Sequence, residues 1–248
     1  MTAGFESIND AGTYQITDSY PNVQFKSKAT VTMSSTTYVT GGPSFGDISF
    51  YYYDVVVTGA IYPVVALAST DFVSLTKLTI SGTTWTYRIA SAVAATITYY
   101  VFDRAPTTAN YGLEIYDASG NLTFSSASKN MDMKSYLSSF TYYTPSGAAA
   151  YYASDITMTS GRTYAIVPGP SGNQYMSIGV STPGKNPGDP VIYNGSTWGY
   201  FGGTKVVSNV ITHRSDAINY HYTSDSIDPG VGININYGNI LVVDVTGL

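Results

Sequence analysis

The chain has 248 residues, enough for one large β domain or two smaller ones, and no cysteine, so neither disulfides nor thiolate chemistry hold it together. Charged residues make up only 11% of it, against the usual quarter or so, while tyrosine and glycine each number 24, so its polarity comes mainly from hydroxyls and amides, which fits either neutral contact faces or a secreted or extracellular sandwich rich in Ser and Thr. A net charge of -5 with no basic run excludes phosphate-backbone binding, so no nucleic acid is expected. Residues 55–68, the longest apolar stretch, are interrupted by Thr58, Gly59 and Pro63, too short and broken to span a bilayer. The first residues lack a basic leader followed by an apolar core, so no secretory signal is expected.

Strand signals, short alternating runs bounded by Gly, Pro, Asn, Asp or Ser, begin at residues 14–17 and recur at 23–33, 49–58, 64–68, 73–80, 84–89 and 95–102. A polar, Pro-containing break at 103–110 follows and sets a lobe boundary near residue 105, dividing the chain into 1–105 and 106–248; the alternative is a single domain over 1–248. Next comes a hairpin. Leu113 and Ile115 on one strand and Leu122 and Phe124 on the other recur at every second position, with Glu114, Thr123 and Ser125 on the opposite face. Between them, Asp117-Ala-Ser-Gly-Asn121 reads as a turn, the Asp carboxylate bonding backbone two residues on and Gly120 supplying positive φ. A calcium loop needs further spaced carboxylates and a distal Glu, which this run lacks.

Residues 128–140 read as a single helical turn, and strands resume at 155–158, 163–167, 174–180, 191–193, 197–201, 206–212, 217–222 and 234–245. Gly-Pro loops at 40–43, 168–170 and 183–190 punctuate them. The fold class is therefore all-β, an antiparallel β-sandwich of jelly-roll or immunoglobulin-like type with minimal helix, as one domain or two packed lobes.

Catalytic groupings are not legible. His213 and His221, if they lie on one extended strand, stand about 26 Å apart, too far for one metal, and read as half-exposed strand histidines. There is no Gly-x-Ser-x-Gly elbow, and neither 169–172 nor 199–203 has the Lys-Ser/Thr and helix of a phosphate loop. Neither an enzyme, a cofactor nor a metal is expected. The binding signal lies in aromatic clusters: Phe50-Tyr51-Tyr52-Tyr53, where alternation puts two rings in the core and two outside, Tyr142-Tyr143, Tyr151-Tyr152, and Trp198-Gly-Tyr200-Phe201. The candidate contact residues are Tyr142, Tyr143, Tyr151, Tyr152, Trp198 and Tyr200, with a protein partner preferred over a glycan.

The run Tyr-Val-Phe-Asp-Arg-Ala-Pro at 100–106, the hairpin at 112–126, and the opening Gly4-Phe5-Glu6 followed by Asn9-Asp-Ala-Gly-Thr-Tyr-Gln-Ile16 resemble a family of small β-rich proteins encoded among the tail-tip and tail-fibre genes of long-tailed, siphophage-like bacteriophages. The resemblance implies a virion component made in the host cytoplasm and placed at the distal tail. It implies other tail proteins as partners, a homo-oligomer as one form, and a host-receptor or glycan-binding module as the alternative role. It carries no catalytic residues.

Overall fold

Alternating side chains sort the chain into antiparallel sheets in the computed structural model, which describes residues 6–8, 10, 14–17, 22–39, 48–104, 111–137, 153–168, 174–182, 192–224, 232–233 and 240–248. In chain order the strands are β1 (Glu6–Ile8), β2 (Tyr14–Thr17), β3 (Gln24–Thr32), β4 (Ser35–Val39), β5 (Ile48–Val57), β6 (Val64–Ser69) and β7 (Ser74–Ser81). They continue with β8 (Thr84–Ser91), β9 (Thr96–Asp103), β10 (Glu114–Tyr116), β11 (Leu122–Ser125), β12 (Asp132–Leu137) and β13 (Ala153–Thr157). The last are β14 (Tyr164–Pro168), β15 (Gln174–Thr182), β16 (Ile192–Val207), β17 (Val210–Ser224), β18 (Gly232–Ile233) and β19 (Ile240–Asp244). No helix occurs among the described residues.

A six-stranded sheet has the order β12-β19-β14-β6-β9-β3, a four-stranded sheet β4-β5-β8-β7, and a five-stranded sheet β13-β17-β16-β15-β18; β1–β2 and β10–β11 form separate hairpins. One face of the six-stranded sheet presents Val65, Leu67, Ile97, Val101, Tyr164, Ile166, Ile240 and Val242. These pack on Val55, Tyr87 and Ile89 of the four-stranded sheet and on Val206 and Ile211 at the base of the β16–β17 hairpin. Each such fully buried aliphatic side chain stabilises the fold by roughly 1.5–3 kcal/mol. Val73 and Thr204 exchange both backbone hydrogen bonds, at 3.1 and 2.9 Å, and so join the four-stranded sheet to the long hairpin. The result is a β-sandwich, as its alternation predicts.

The opposite face of the six-stranded sheet is apolar too. Ala66, Tyr100, Phe102, Ala165, Val243 and Val245 form a second cluster, against which Val23, Phe25, Met131 and Leu248 pack. Residues 129–131 are tied to the start of β3 by Phe25 N–H to the Lys129 carbonyl and Met131 N–H to the Val23 carbonyl, both 2.8 Å. Burial on both faces explains why β6 (VVALAS) reads as a near-continuous apolar run. The six-stranded sheet draws β3, β6 and β9 from one side of residue 105 and β12, β14 and β19 from the other, with Ile166 paired to Leu67.

Several expectations are corrected. Residues 132–137 form β12, not a helical turn: Leu137 pairs with Ile240 and reaches the inner core. Residues 206–212 are not one strand. Ser208, at φ 56°, and Asn209 form a two-residue turn between β16 and β17, strands of 16 and 15 residues. Residues 192–193 and 197–201 of two further signals are parts of β16, residue 191 lies outside the described residues, and β1, β4 and β18 had no predicted counterpart.

The β10–β11 hairpin forms around its expected turn. Asp117 Oδ1 accepts the N–H groups of Ser119 and Asn121, each at 2.8 Å, and Oδ2 accepts the Asn121 side-chain amide at 2.8 Å. The Asn121 side-chain bond, then the backbone donors, hold this carboxyl below the usual carboxylate range. The two faces divide less cleanly than alternation suggests. A bulge shifts the register between Ile115 and Tyr116, Leu113 is exposed, and Thr123 and Ser125 are buried beside Ile115 and Phe124. Residues 22–24 cover that second face: Asn22 N–H donates to the Thr123 carbonyl at 3.2 Å and the Gln24 amide to the Ser125 carbonyl at 3.3 Å. At the hairpin base Gly112 has φ +103°, and a Cβ there would collide with Ser126 Oγ, the acceptor of the Leu113 N–H. Gly112→Ala is expected to cost about 1–3 kcal/mol in urea unfolding, and Gly120→Ala, where nothing lies within 4 Å of a Cβ, less.

Candidate contact surface

Residues 58–63 carry the chain from β5 in one sheet to β6 in the other, and this crossing is fixed by hydrogen bonds to its backbone. Gly59 turns it at φ +66°, and Ala60 N–H donates to the Thr83 carbonyl at 3.0 Å. The main anchor is Asp103 at the end of β9, which is buried. Its Oδ2 accepts the Ile61 N–H at 3.0 Å, and its Oδ1 accepts those of Tyr62 at 2.8 Å and Arg104 at 2.7 Å. Tyr87 completes the arrangement by donating its hydroxyl to the Pro63 carbonyl at 2.5 Å.

Fixing the backbone leaves the side chains displayed. Ile61 is 48% and Tyr62 60% exposed, and the Arg104 guanidinium lies over the Tyr62 ring, 5.5 Å from its centroid. Lys26 stands close enough for Asp103 to favour its charge, yet burial outweighs this and lowers its pKa. A tyrosine on an ordered loop with an arginine beside it matches the composition of interface hot spots, and the prior hydrogen bonding removes the cost of ordering the loop on binding.

Between the sheets under this loop lies an apolar cavity of about 130 Å³ lined in part by Pro63, Val65, Leu75, Tyr87, Ile89 and Val167. Burial, and then the negative charge of Asp103, push the Tyr87 hydroxyl up to about 12 from 10.0. A raised pKa favours the neutral phenol in the folded state, so its stabilisation is complete below pH 10 and lost as pH rises to 12. Alkaline unfolding should therefore steepen between pH 10 and 12, and Tyr87→Phe should remove about 2–3 kcal/mol of that dependence.

Other aromatic rings are already engaged. Arg88 lies 4.1 Å from the Tyr52 ring centroid while its Nε and Nη2 donate to the two Asp54 carboxylate oxygens at 2.8 and 2.7 Å. Lys28 lies 5.5 Å from the Tyr100 centroid and donates to the Leu248 carbonyl at 2.8 Å. In the 50–53 run, Tyr51 and Tyr53 pack against the inner core and Tyr52 meets Arg88 outside, whereas Phe50 is buried, so the expected even split becomes three rings covered. Tyr111, Tyr116, Met133 and Tyr136 are exposed elsewhere.

Of the residues singled out from sequence, Tyr142, Tyr143, Tyr151 and Tyr152 lie outside the described residues. Positions 198 and 200 lie on β16, opposite Asn219 and Ala217 on β17 and Met176 and Gln174 on β15. Their side chains are outside the described set. His213 and His221 share β17, as an extended strand requires, but His213 is buried, not half-exposed. Its Nδ1 and Thr204 Oγ1 share a hydrogen bond of 2.8 Å. Among the described residues no three His, Cys, Asp or Glu side chains gather to hold a metal, and no helix is long and apolar enough to cross a membrane.

Sequence reading missed Ile61, Tyr62, Asp103 and Arg104. A signal was present: the interruption of an apolar run at Thr58, Gly59 and Pro63, and a carboxylate closing the apolar strand β9. Comparison with protein-family models, curated proteins and solved structures finds no match to this chain.

Proposed function

We propose that this chain is a structural protein of a bacteriophage tail, at the distal tip or fibre, which organises or caps the host-recognition apparatus through protein contacts. The resemblance at residues 100–106 and 112–126 supports the tail assignment. The observation that carries the contact role is the Asp103-anchored loop, which presents Ile61 and Tyr62 beside Arg104 without further ordering. A host-glycan role is less well supported, because the ring on the ordered loop, Tyr62, already has the Arg104 guanidinium over it, and the exposed Tyr111, Tyr116 and Tyr136 are not part of that loop.

The test is co-expression of the chain with the tail proteins encoded beside it, followed by size-exclusion chromatography and titration of the complex. One of them is expected to co-elute, and the Ile61→Ala/Tyr62→Ala/Arg104→Ala variant to bind it at least about 30-fold more weakly, as loss of an interface hot spot does. Failure to associate with any tail protein, together with saturable binding on a glycan array, would replace this reading with the receptor-binding one.

A further inference from the structure

The edge strand β7 differs from two other edge strands. β3, at one edge of the six-stranded sheet, carries Lys26 and Lys28 and is capped at its start by residues 129–131. β12, at the other edge, carries Asp132 and Lys134 and a bulge between Met133 and Ser135. Charges and bulges of this kind stop a sheet edge from pairing with another chain. β7, with the sequence SLTKLTIS, has no Pro or Gly and one charge, Lys77, and its own bulge, between Leu75 and Lys77, lies before residues 77–81 and leaves that stretch in regular register with β8.

Its pairing outward begins and then stops. Val73, just before the strand, exchanges both backbone bonds with Thr204, and the backbone pairing with β16 is confined to that bridge. Residues 77–81 are exposed, including Leu78 at 45% and Ile80 at 53%. These two are not isolated apolar side chains. Leu78 pairs with Tyr87 and Ile80 with Trp85 on β8, which in turn pair with Val55 and Val57 on β5, so two apolar rows run to the open edge. Val73 turns its N–H and C=O outward, and the bulge between Leu75 and Lys77 shifts that alternation by one residue. Leu78 and Ile80 are then the residues with outward-facing backbone groups.

We propose that β7 pairs antiparallel with β7 of a second copy of this chain, about a two-fold axis at Thr79, extending the four-stranded sheet into an eight-stranded one. The strand is self-complementary in this register. Leu78 lies opposite Ile80 of the second copy on the apolar face, Thr79 opposite Thr79, and Lys77 opposite Ser81, so the only charge of the strand never meets itself. Centring the axis on Lys77 would oppose the two lysines. The outward backbone groups of Leu78 and Ile80 then bond each other across the axis, in the isologous pattern of a two-fold dimer.

Sedimentation velocity of the full chain across a wide concentration range is expected to show reversible dimerisation. Leu78→Lys/Ile80→Lys and Leu78→Glu/Ile80→Glu should each weaken it more than about tenfold by opposing like charges, and mixing the two variants should restore a dimer. Because the chain has no cysteine, Thr79→Cys reports the register directly. A non-hydrogen-bonded pair sets the Cα atoms about 4.5 Å apart, within disulfide reach, so mild oxidation should cross-link Thr79→Cys and leave the exposed Val56→Cys control without a covalent cross-link. A wild-type chain that stays monomeric throughout overturns the proposal. So does a dimer that is unchanged in both charge variants, or in which Thr79→Cys cross-links no faster than Val56→Cys.

Discussion

Acidification from pH 6.5 to 4 is expected to cost the fold about 3 kcal/mol through His213 alone. The side chain is 3% exposed, and burial lowers its pKa from 6.5 to about 4. Between those values the unfolded chain takes up a proton that the folded chain refuses, so stability is complete above pH 6.5, falls as pH drops toward 4, and levels off below. The location magnifies the consequence. His213 bonds Thr204, and Thr204 is the residue whose backbone joins β16 to Val73. Urea unfolding at pH 7 and pH 4.5 checks the expectation. His213→Gln should lose less stability across that interval than the wild type, and equal losses would show that the histidine does not titrate in this way.

Asp103→Ala should be the most damaging single truncation at the contact loop, at about 3–4 kcal/mol. It removes the acceptor of three N–H groups, those of Ile61, Tyr62 and Arg104, each bonded to a charged oxygen. Bonds of that kind contribute roughly 1.5–3 kcal/mol apiece, and the orphaned donors add a desolvation cost, partly offset where the loop reaches water. Asp103→Asn keeps one carbonyl acceptor and should lose about half as much. Asp103 is a positioning residue, so Asp103→Asn should also weaken the proposed complex with a tail protein while leaving the Ile61 and Tyr62 side chains intact. Thermal unfolding and titration of the same variant separate the two effects; a stable variant with unaltered affinity would mean that the loop needs no anchor.

What could be read from sequence was what is decided locally. Asp117 meets Ser119 and Asn121 two and four residues on, so its turn was visible in the string of residue types. Asp103 finds the Ile61 and Tyr62 N–H groups 42 and 41 positions away, and nothing in the break at 103–110 reveals that. The same holds for His213. Alternation along β17 shows that one face differs from the other but not which is covered, and that depends on the four-stranded sheet meeting the hairpin at Val73. For Thr123 and Ser125, alternation shows only that they share the face opposite Ile115 and Phe124, because the residues that cover that face, 22–24, lie about a hundred positions earlier. Tyrosine-rich runs drew attention to Tyr142, Tyr143, Tyr151, Tyr152, Trp198 and Tyr200 by composition, whereas the loop at 61–62 holds a single tyrosine whose value comes from the hydrogen bonds beneath it.

In the proposed role the low-charge β-sandwich is an assembly part, with an ordered knob at 61–62 and an open strand edge at 77–81. The proposed tail role is tested most directly by immunogold electron microscopy, with antibody raised against the chain, of phage particles from the source of this sequence. Label concentrated at the distal end of the tail is the predicted result. Intact, infectious virions that carry no label, and no trace of the chain by mass spectrometry, would contradict it.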